Sequence, residues 1–165
     1  MDFTKKYRQE SYPTISPTAP ENSQAGRTVL IAGGSEGIAI SIANSFIKAK
    51  ASKLILLARR EDILDNAVKE LQSKVTGKST EILGIKFDQA SEEDINSVWE
   101  KLHDQHIVVD VLVLSVTLPA FGSMASGLDL IWKGFEVNVL GNMRMTHKFL
   151  DQNTTDSPKV SQPPQ

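Results

Sequence analysis

The sequence predicts an α/β fold: a doubly wound parallel sheet of about four strands, covered by helices on both faces. Two observations carry this. Several short runs are apolar throughout rather than alternating, as in strands buried on both sides. Each run is separated from the next by one segment with helical apolar spacing, the β-α-β-α order that parallel pairing requires. The punctuation agrees, because all ten glycines lie between Gly26 and Gly141 while six of the seven prolines lie outside that window.

Residues 27–32 (RTVLIA) read as the first strand, and residues 38–50 as a helix, with Ile38, Ile42, Phe46 and Ala49 on one face. Residues 53–58 (KLILLA) are the second strand. A helix follows with Asp62 as its N-cap, Leu64, Ala67, Val68, Leu71 and Val75 on one face, and Gly77 as its stop. Residues 81–88 (EILGIKFD) are the third strand. Ser91 with Asp94 resembles a capping box ahead of Ile95, Val98, Trp99 and Leu102. Residues 107–116 (IVVDVLVLSV) are the fourth and most apolar strand, and a last helix is expected over residues 128–150, with Trp132 and Phe135, like Trp99, in the core.

Proline denies a helix or ladder its donor, so residues 1–25 are expected to be a flexible or extended arm and residues 151–165 a disordered tail, leaving 26–150 as the folded domain. At 165 residues, 40% hydrophobic and 23% charged, the composition is that of one soluble domain. A formal net charge of -2 without long charge runs argues against nucleic-acid or anionic-membrane binding. With no cysteine there is no disulfide, thiolate metal site or cysteine nucleophile. The absence of a signal-like apolar run points to the cytoplasm, and no stretch is long enough to span a membrane. His103, Asp104 and His106 read as an exposed helix end rather than a metal site.

The chemistry lies in the first strand-to-helix turn, Ala32-Gly33-Gly34-Ser35-Glu36-Gly37-Ile38-Ala39. In an open parallel sheet this turn binds phosphate: glycines allow the tight turn and close backbone approach, and the first helical amides, backed by the helix dipole, point at the anion. Gly33 permits the turn, Gly37 lets backbone approach a pyrophosphate, Ser35 adds a hydroxyl, and Ala39 allows helix to pack on strand. The spacing is Gly33-x-x-x-Gly37-x-Ala39, which fits neither Gly-x-Gly-x-x-Gly nor a P-loop. Arg59 and Arg60 close the second strand, where an acidic residue would hold the ribose of NAD and a base the 2′-phosphate of NADP. Two arginines favour NADP; the alternative for both is a solvated surface charge.

These residues resemble the classical short-chain dehydrogenase/reductase family over residues 26–150. Joining the glycine loop and the Arg59-Arg60 pair are Phe87-Asp88 after the third strand, Asp110-Val111-Leu112-Val113 in the fourth, and Phe135-Glu136-Val137-Asn138-Val139 in the last helix. The resemblance implies a Rossmann-like fold and an NADP(H)-dependent oxidoreductase acting on a carbonyl or alcohol. It also implies that Asp88 contacts adenine, that Ser35 and Ile38 flank the pyrophosphate, and that Asn138 is the catalytic asparagine holding a water in the proton relay. The stretch from Tyr12 to Thr18 is similar to the leader of fungal members, which suggests secondary metabolism.

Two departures stand against this. The family's Asn-Asn-Ala-Gly after the fourth strand is Leu114-Ser115-Val116-Thr117 here. The family's Ser and Tyr-x-x-x-Lys are missing: the only tyrosines, Tyr7 and Tyr12, have no lysine four residues on. The resemblance therefore implies an incomplete sheet, a chain about 100 residues short of an intact member, and no turnover by this chain alone. The alternative is an NADP-binding regulatory module that pairs with itself or a relative through the fourth strand, left as an apolar edge, or through the last helix. A third is an unstable product without function.

Overall fold

In the computed structural model, residues 12–77, 79–119 and 127–152 are described. Four parallel strands, β1 (Thr28–Ala32), β2 (Lys53–Ala58), β3 (Glu81–Lys86) and β4 (Val111–Leu114), form one sheet in the order β3-β2-β1-β4. Between them run α1 (Ile38–Lys48), α2 (Glu61–Lys74) and α3 (Glu92–Asp104). After β4 come α4 (Asp129–Phe135), a π-helical segment (Glu136–Gly141) and α5 (Asn142–Asp151).

The uninterrupted apolar runs have their explanation in the two faces of the sheet. Successive strand residues point to opposite sides. Val29, Ile31, Leu54 and Leu56 pack with Ala39, Ala43 and Ile47 of α1 and Leu64 and Leu71 of α2. Leu30, Ala32, Ile55 and Leu57 pack on the other face with Ile95, Val98, Trp99 and Leu102 of α3 and Met145 of α5. In β1 and β2 every residue after the first is buried. Each large side chain so covered contributes about 1.5–3 kcal/mol. All four β4 residues are half-buried, because β4 is the edge strand beside β1.

Several expected boundaries move. β4 has four residues, not the ten of 107–116, because its register with β1 runs only from Val29 opposite Val111 to Ala32 opposite Leu114. Ahead of it the Ile107 amide donates to the Leu102 carbonyl, and the Asp110 carboxylate accepts the Thr28 N–H at 2.7 Å. β3 ends at Lys86, although the Phe87 amide still donates to Ala58. Arg60, not Asp62, is the N-cap of α2; Asp62 sits in the first turn, where its charge favours the helix dipole. Ser91 does cap α3, its hydroxyl accepting the Asp94 N–H at 3.1 Å. The Ser91 amide donates to the Asp88 carbonyl, so the reciprocal half of the capping box is not formed.

The final helix contains a π segment instead of one regular α pattern, and its apolar face is not all core. Trp132 and Phe135 are 63% and 50% exposed and stack on each other, with ring centroids 5.7 Å apart, whereas Trp99 is buried. The N-terminal arm is folded over residues 12–25. Its prolines start two 3-10 turns, Pro13–Ile15 and Pro20–Asn22; Asn22 Nδ2 donates to the Thr14 and Ser16 carbonyls, and the Gln24 amide reaches the carbonyl of Ala49 at the end of α1. At the other end, α5 reaches Asp151, and the Gln152 side chain clamps both backbone groups of Val109. The arm before residue 12 and the tail after residue 152 lie outside the described residues. Among the described residues no helix is long and apolar enough to cross a membrane.

Candidate functional site

The order β3-β2-β1-β4 places the reversal of strand order beside β1, and the crevice beyond the carboxyl ends of the strands opens there. A cleft of about 260 Å³ occupies this position. One wall is the loop after β1 (Gly33, Ser35, Glu36), another the end of β2 (Ala58, Arg59, Arg60). Phe87 and Gln89 come from the end of β3, and Ser115, Val116 and Thr117 from the loop after β4.

Gly33 and Gly37 have different reasons to be glycine. Gly33 has φ of +80°, and a Cβ there would meet the backbone carbon and oxygen of Ser115 at 2.9 Å, so the β1 and β4 loops touch through it. The Gly33 and Gly34 amides both donate to the Leu57 carbonyl, at 2.8 and 3.0 Å, which ties the loop to β2. Gly37 is the N-cap of α1 with φ +61° and ψ -132°, a conformation essentially reserved for glycine, yet nothing lies within 4 Å of an added Cβ. Among the described residues its carbon therefore faces open space, and no side chain caps α1. The first-turn amides, which have no intrahelical acceptor, are left to bind an anion. An uncapped helix start, an open glycine and two neighbouring arginines fit a phosphate-bearing dinucleotide.

The remaining expected residues distribute as follows. Ser35, Arg59 and Arg60 line the cleft with Gly33; Gly37 and Ile38 adjoin it at the head of α1, with Ile38 76% exposed. Ala39 is buried against the sheet, where a larger side chain would hold α1 off β1. Asp88 is not among the lining residues. One of its carboxylate oxygens accepts the Ala90 N–H at 3.0 Å, and its own amide donates to the Asp94 carboxylate at 2.7 Å. Asn138 lies on the π segment. Its Oδ1 accepts the Leu118 N–H and its Nδ2 donates to the Leu118 carbonyl, both at 2.8 Å, so its side chain fixes the loop that follows the cleft's Ser115–Thr117 wall.

Glu36 and Gln89 were missed in the sequence. The Glu36 carboxylate pairs with the Arg60 guanidinium across the cleft mouth. Gln89 is 1% exposed, and its Nε2 donates to the Val137 carbonyl at 3.0 Å and to Asn142 Oδ1 at 2.7 Å. Asn142 in turn donates to the Asn138 carbonyl at 2.7 Å. This chain of bonds satisfies a carbonyl of the π segment and braces the turn that carries Asn138. Gly141 is part of the brace, since a Cβ there would stand 2.5 Å from the Gln89 carbonyl oxygen. π turns of this kind frequently occur at functional sites. Glu36 sits within the glycine motif and was legible as a charge; a buried glutamine after a strand carries no sequence signal.

The family model described as short chain dehydrogenase matches residues 27–158. A short chain dehydrogenase of Pseudocercospora fijiensis is 28% identical over 153 residues, covering 91% of this chain and 48% of that relative. An NADP-dependent 3-hydroxy acid dehydrogenase of Schizosaccharomyces pombe is 35% identical over 128 residues, covering 76% and 48%. Among solved structures, L-sorbose reductase from Gluconobacter frateurii in complex with NADPH and L-sorbose superposes with a TM-score of 0.70 at 25% identity, covering 78% of this chain and 48% of that one. A variant of the actinorhodin polyketide ketoreductase with NADPH gives 0.67 at 28% identity, covering 78% and 48%. The chain spans about half the length of the relatives it matches.

Proposed function

The chain belongs to the short-chain dehydrogenase family, and from that premise we propose that it is the dinucleotide-binding half of an NADP(H)-dependent oxidoreductase acting on a carbonyl or alcohol substrate. The observation that carries the reading is the uncapped start of α1 at Gly37, flanked by Arg59 and Arg60. Gly33, Ser35, Gly37 and Ile38 would hold the pyrophosphate, the arginines the 2′-phosphate, and Asp88 would approach the adenine. When bound, the nicotinamide supplies the redox equivalents. Asn138 would be the relay asparagine of the family; its paired side chain holds the loop at Leu118 and so shapes that end of the cleft. The Tyr-x-x-x-Lys that supplies the family's general acid is not among these 165 residues, so this polypeptide alone is expected to bind cofactor without turnover. A cytoplasmic place and a role in fungal secondary metabolism belong to the same reading; the organisms of several relatives support a fungal member.

The test is a fluorescence titration of the purified chain with NADPH and with NADH. Saturable NADPH binding that weakens at least tenfold on combining Arg59→Ala with Arg60→Ala supports the reading. Absence of NADPH binding, or turnover of a carbonyl substrate by the chain alone, overturns it.

A second reading, a non-catalytic NADP-binding module that pairs with a copy of itself or a relative, draws on the half-buried β4 edge and the exposed Trp132 and Phe135. Sedimentation as a monomer over a wide concentration range, without co-purifying relatives, refutes it.

A further inference from the structure

Glu36 lies in the loop after β1, Arg59 and Arg60 at the end of β2, and all three line the same end of the cleft. The Glu36 carboxylate takes the Arg60 guanidinium, with side chains 57% and 61% exposed, and so straps the two loops together across residues 24 apart in sequence. Arg59 enters none of the ion pairs found among the described residues. The two arginines are therefore not equivalent, although they are adjacent. Arg59 is available to an incoming anion, and Arg60 is already engaged.

We propose that Glu36 is a specificity-determining residue that weakens this cleft's preference for a 2′-phosphorylated dinucleotide by occupying Arg60; the proposal rests on the cofactor reading above. A 2′-phosphate arriving at this end meets two positive charges and one negative. To use both arginines it must displace the carboxylate from Arg60, and the displaced carboxylate then stands beside a like charge. A dinucleotide with a free 2′-hydroxyl brings no charge to this end and leaves the strap closed. The penalty therefore falls on the phosphorylated cofactor alone. It is modest, because an exposed ion pair is exchanged cheaply for a stronger bidentate phosphate contact.

The experiment compares the full chain with Glu36→Gln, Arg60→Gln and the double variant, titrating each with NADPH and NADH at low and moderate salt. Glu36→Gln keeps the size of the side chain at an exposed position, so its urea midpoint should match that of the unaltered chain. The expected result is NADPH affinity raised about threefold to tenfold by Glu36→Gln, NADH affinity within about twofold, and the gain shrinking with salt. In the Arg60→Gln background the gain should shrink to the direct repulsion between carboxylate and phosphate, since the carboxylate no longer withholds a guanidinium. Unchanged or weaker NADPH binding by Glu36→Gln overturns the proposal, as does an equal gain for both dinucleotides or a gain that is undiminished without Arg60. In those cases the cofactor reading stands, because the unaltered chain still binds NADPH. If neither the unaltered chain nor Glu36→Gln binds a dinucleotide, the cofactor reading falls and this proposal with it.

Discussion

Gly33→Ala should be among the most damaging single-atom changes in the molecule, for two separable reasons. Its φ of +80° is unfavourable for any residue with a Cβ, at a cost of about 1–2 kcal/mol. The new methyl would also stand 2.9 Å from the carbon and oxygen of Ser115 and 3.0 Å from the Val116 nitrogen. Those atoms are backbone held in the sheet, the Ser115 amide donating to the Ala32 carbonyl, so the overlap is relieved only by moving β4 or the loop; overpacking of this kind costs about 1–3 kcal/mol. The sum is about 2–5 kcal/mol, a large share of the 5–15 kcal/mol that holds a typical domain. Gly37→Ala and Gly141→Ala separate the two components. The first has the backbone strain and open space, the second a helical backbone with a contact of 2.5 Å to the Gln89 oxygen. Urea unfolding of the three variants at constant m-value measures them. Gly33→Ala should lose more stability than Gly37→Ala, whose larger effect should be on NADPH affinity. If Gly33→Ala unfolds within about 1 kcal/mol of the unaltered chain, or no more easily than Gly37→Ala, the close approach of the β1 and β4 loops is not what demands glycine.

Other outcomes follow from burial and hydrogen bonding. Trp99→Ala, which removes a buried ring packed near Phe149, should cost about 3–5 kcal/mol in denaturant melts, whereas Trp132→Ala on the exposed face should stay within about 0.5 kcal/mol. Ser91→Ala removes the hydroxyl that accepts the Asp94 amide and should lower stability by about 1 kcal/mol, read from the urea midpoint. Asn138→Ala leaves both backbone groups of Leu118 without their partner; amide exchange at Leu118 should quicken while exchange in β2 stays slow, with a global loss of about 1–3 kcal/mol.

Elements set by short-range patterns are legible in the sequence, and those set by distant partners are not. The sequence predicts β2 to the residue, because β3 pairs along its full length, β1 along all of it but Ala58, and the apolar run 53–58 has no other use. β4 was overextended because residues 107–109 are as apolar as 111–114 but serve a turn against α3 and the clamp from Gln152. Trp132 and Phe135 repeat at helical spacing, as Trp99 does with its neighbours. Spacing places residues on a common face without saying what covers that face.

What the sequence determined by itself was the class of fold and the place of the glycine-rich turn after the first strand. Both are written in local order: continuous apolar runs, single intervening helices, and glycines at the exit of the first strand. What only the tertiary structure decided was how that turn is bonded to the rest of the sheet. The amides of Gly33 and Gly34 are consumed by Leu57, which leaves the helix start at Gly37 as the open donor group. Arg60 is bound to Glu36 while Arg59 has no ion-pair partner among the described residues, and Asn138 is held between Leu118 and the Gln89–Asn142 brace. Each of these is a pairing between segments distant along the chain. Periodicity and propensity carry information about neighbours within a turn or a strand, whereas the partner of a charge or an amide is fixed only when the sheet brings separate loops to one edge.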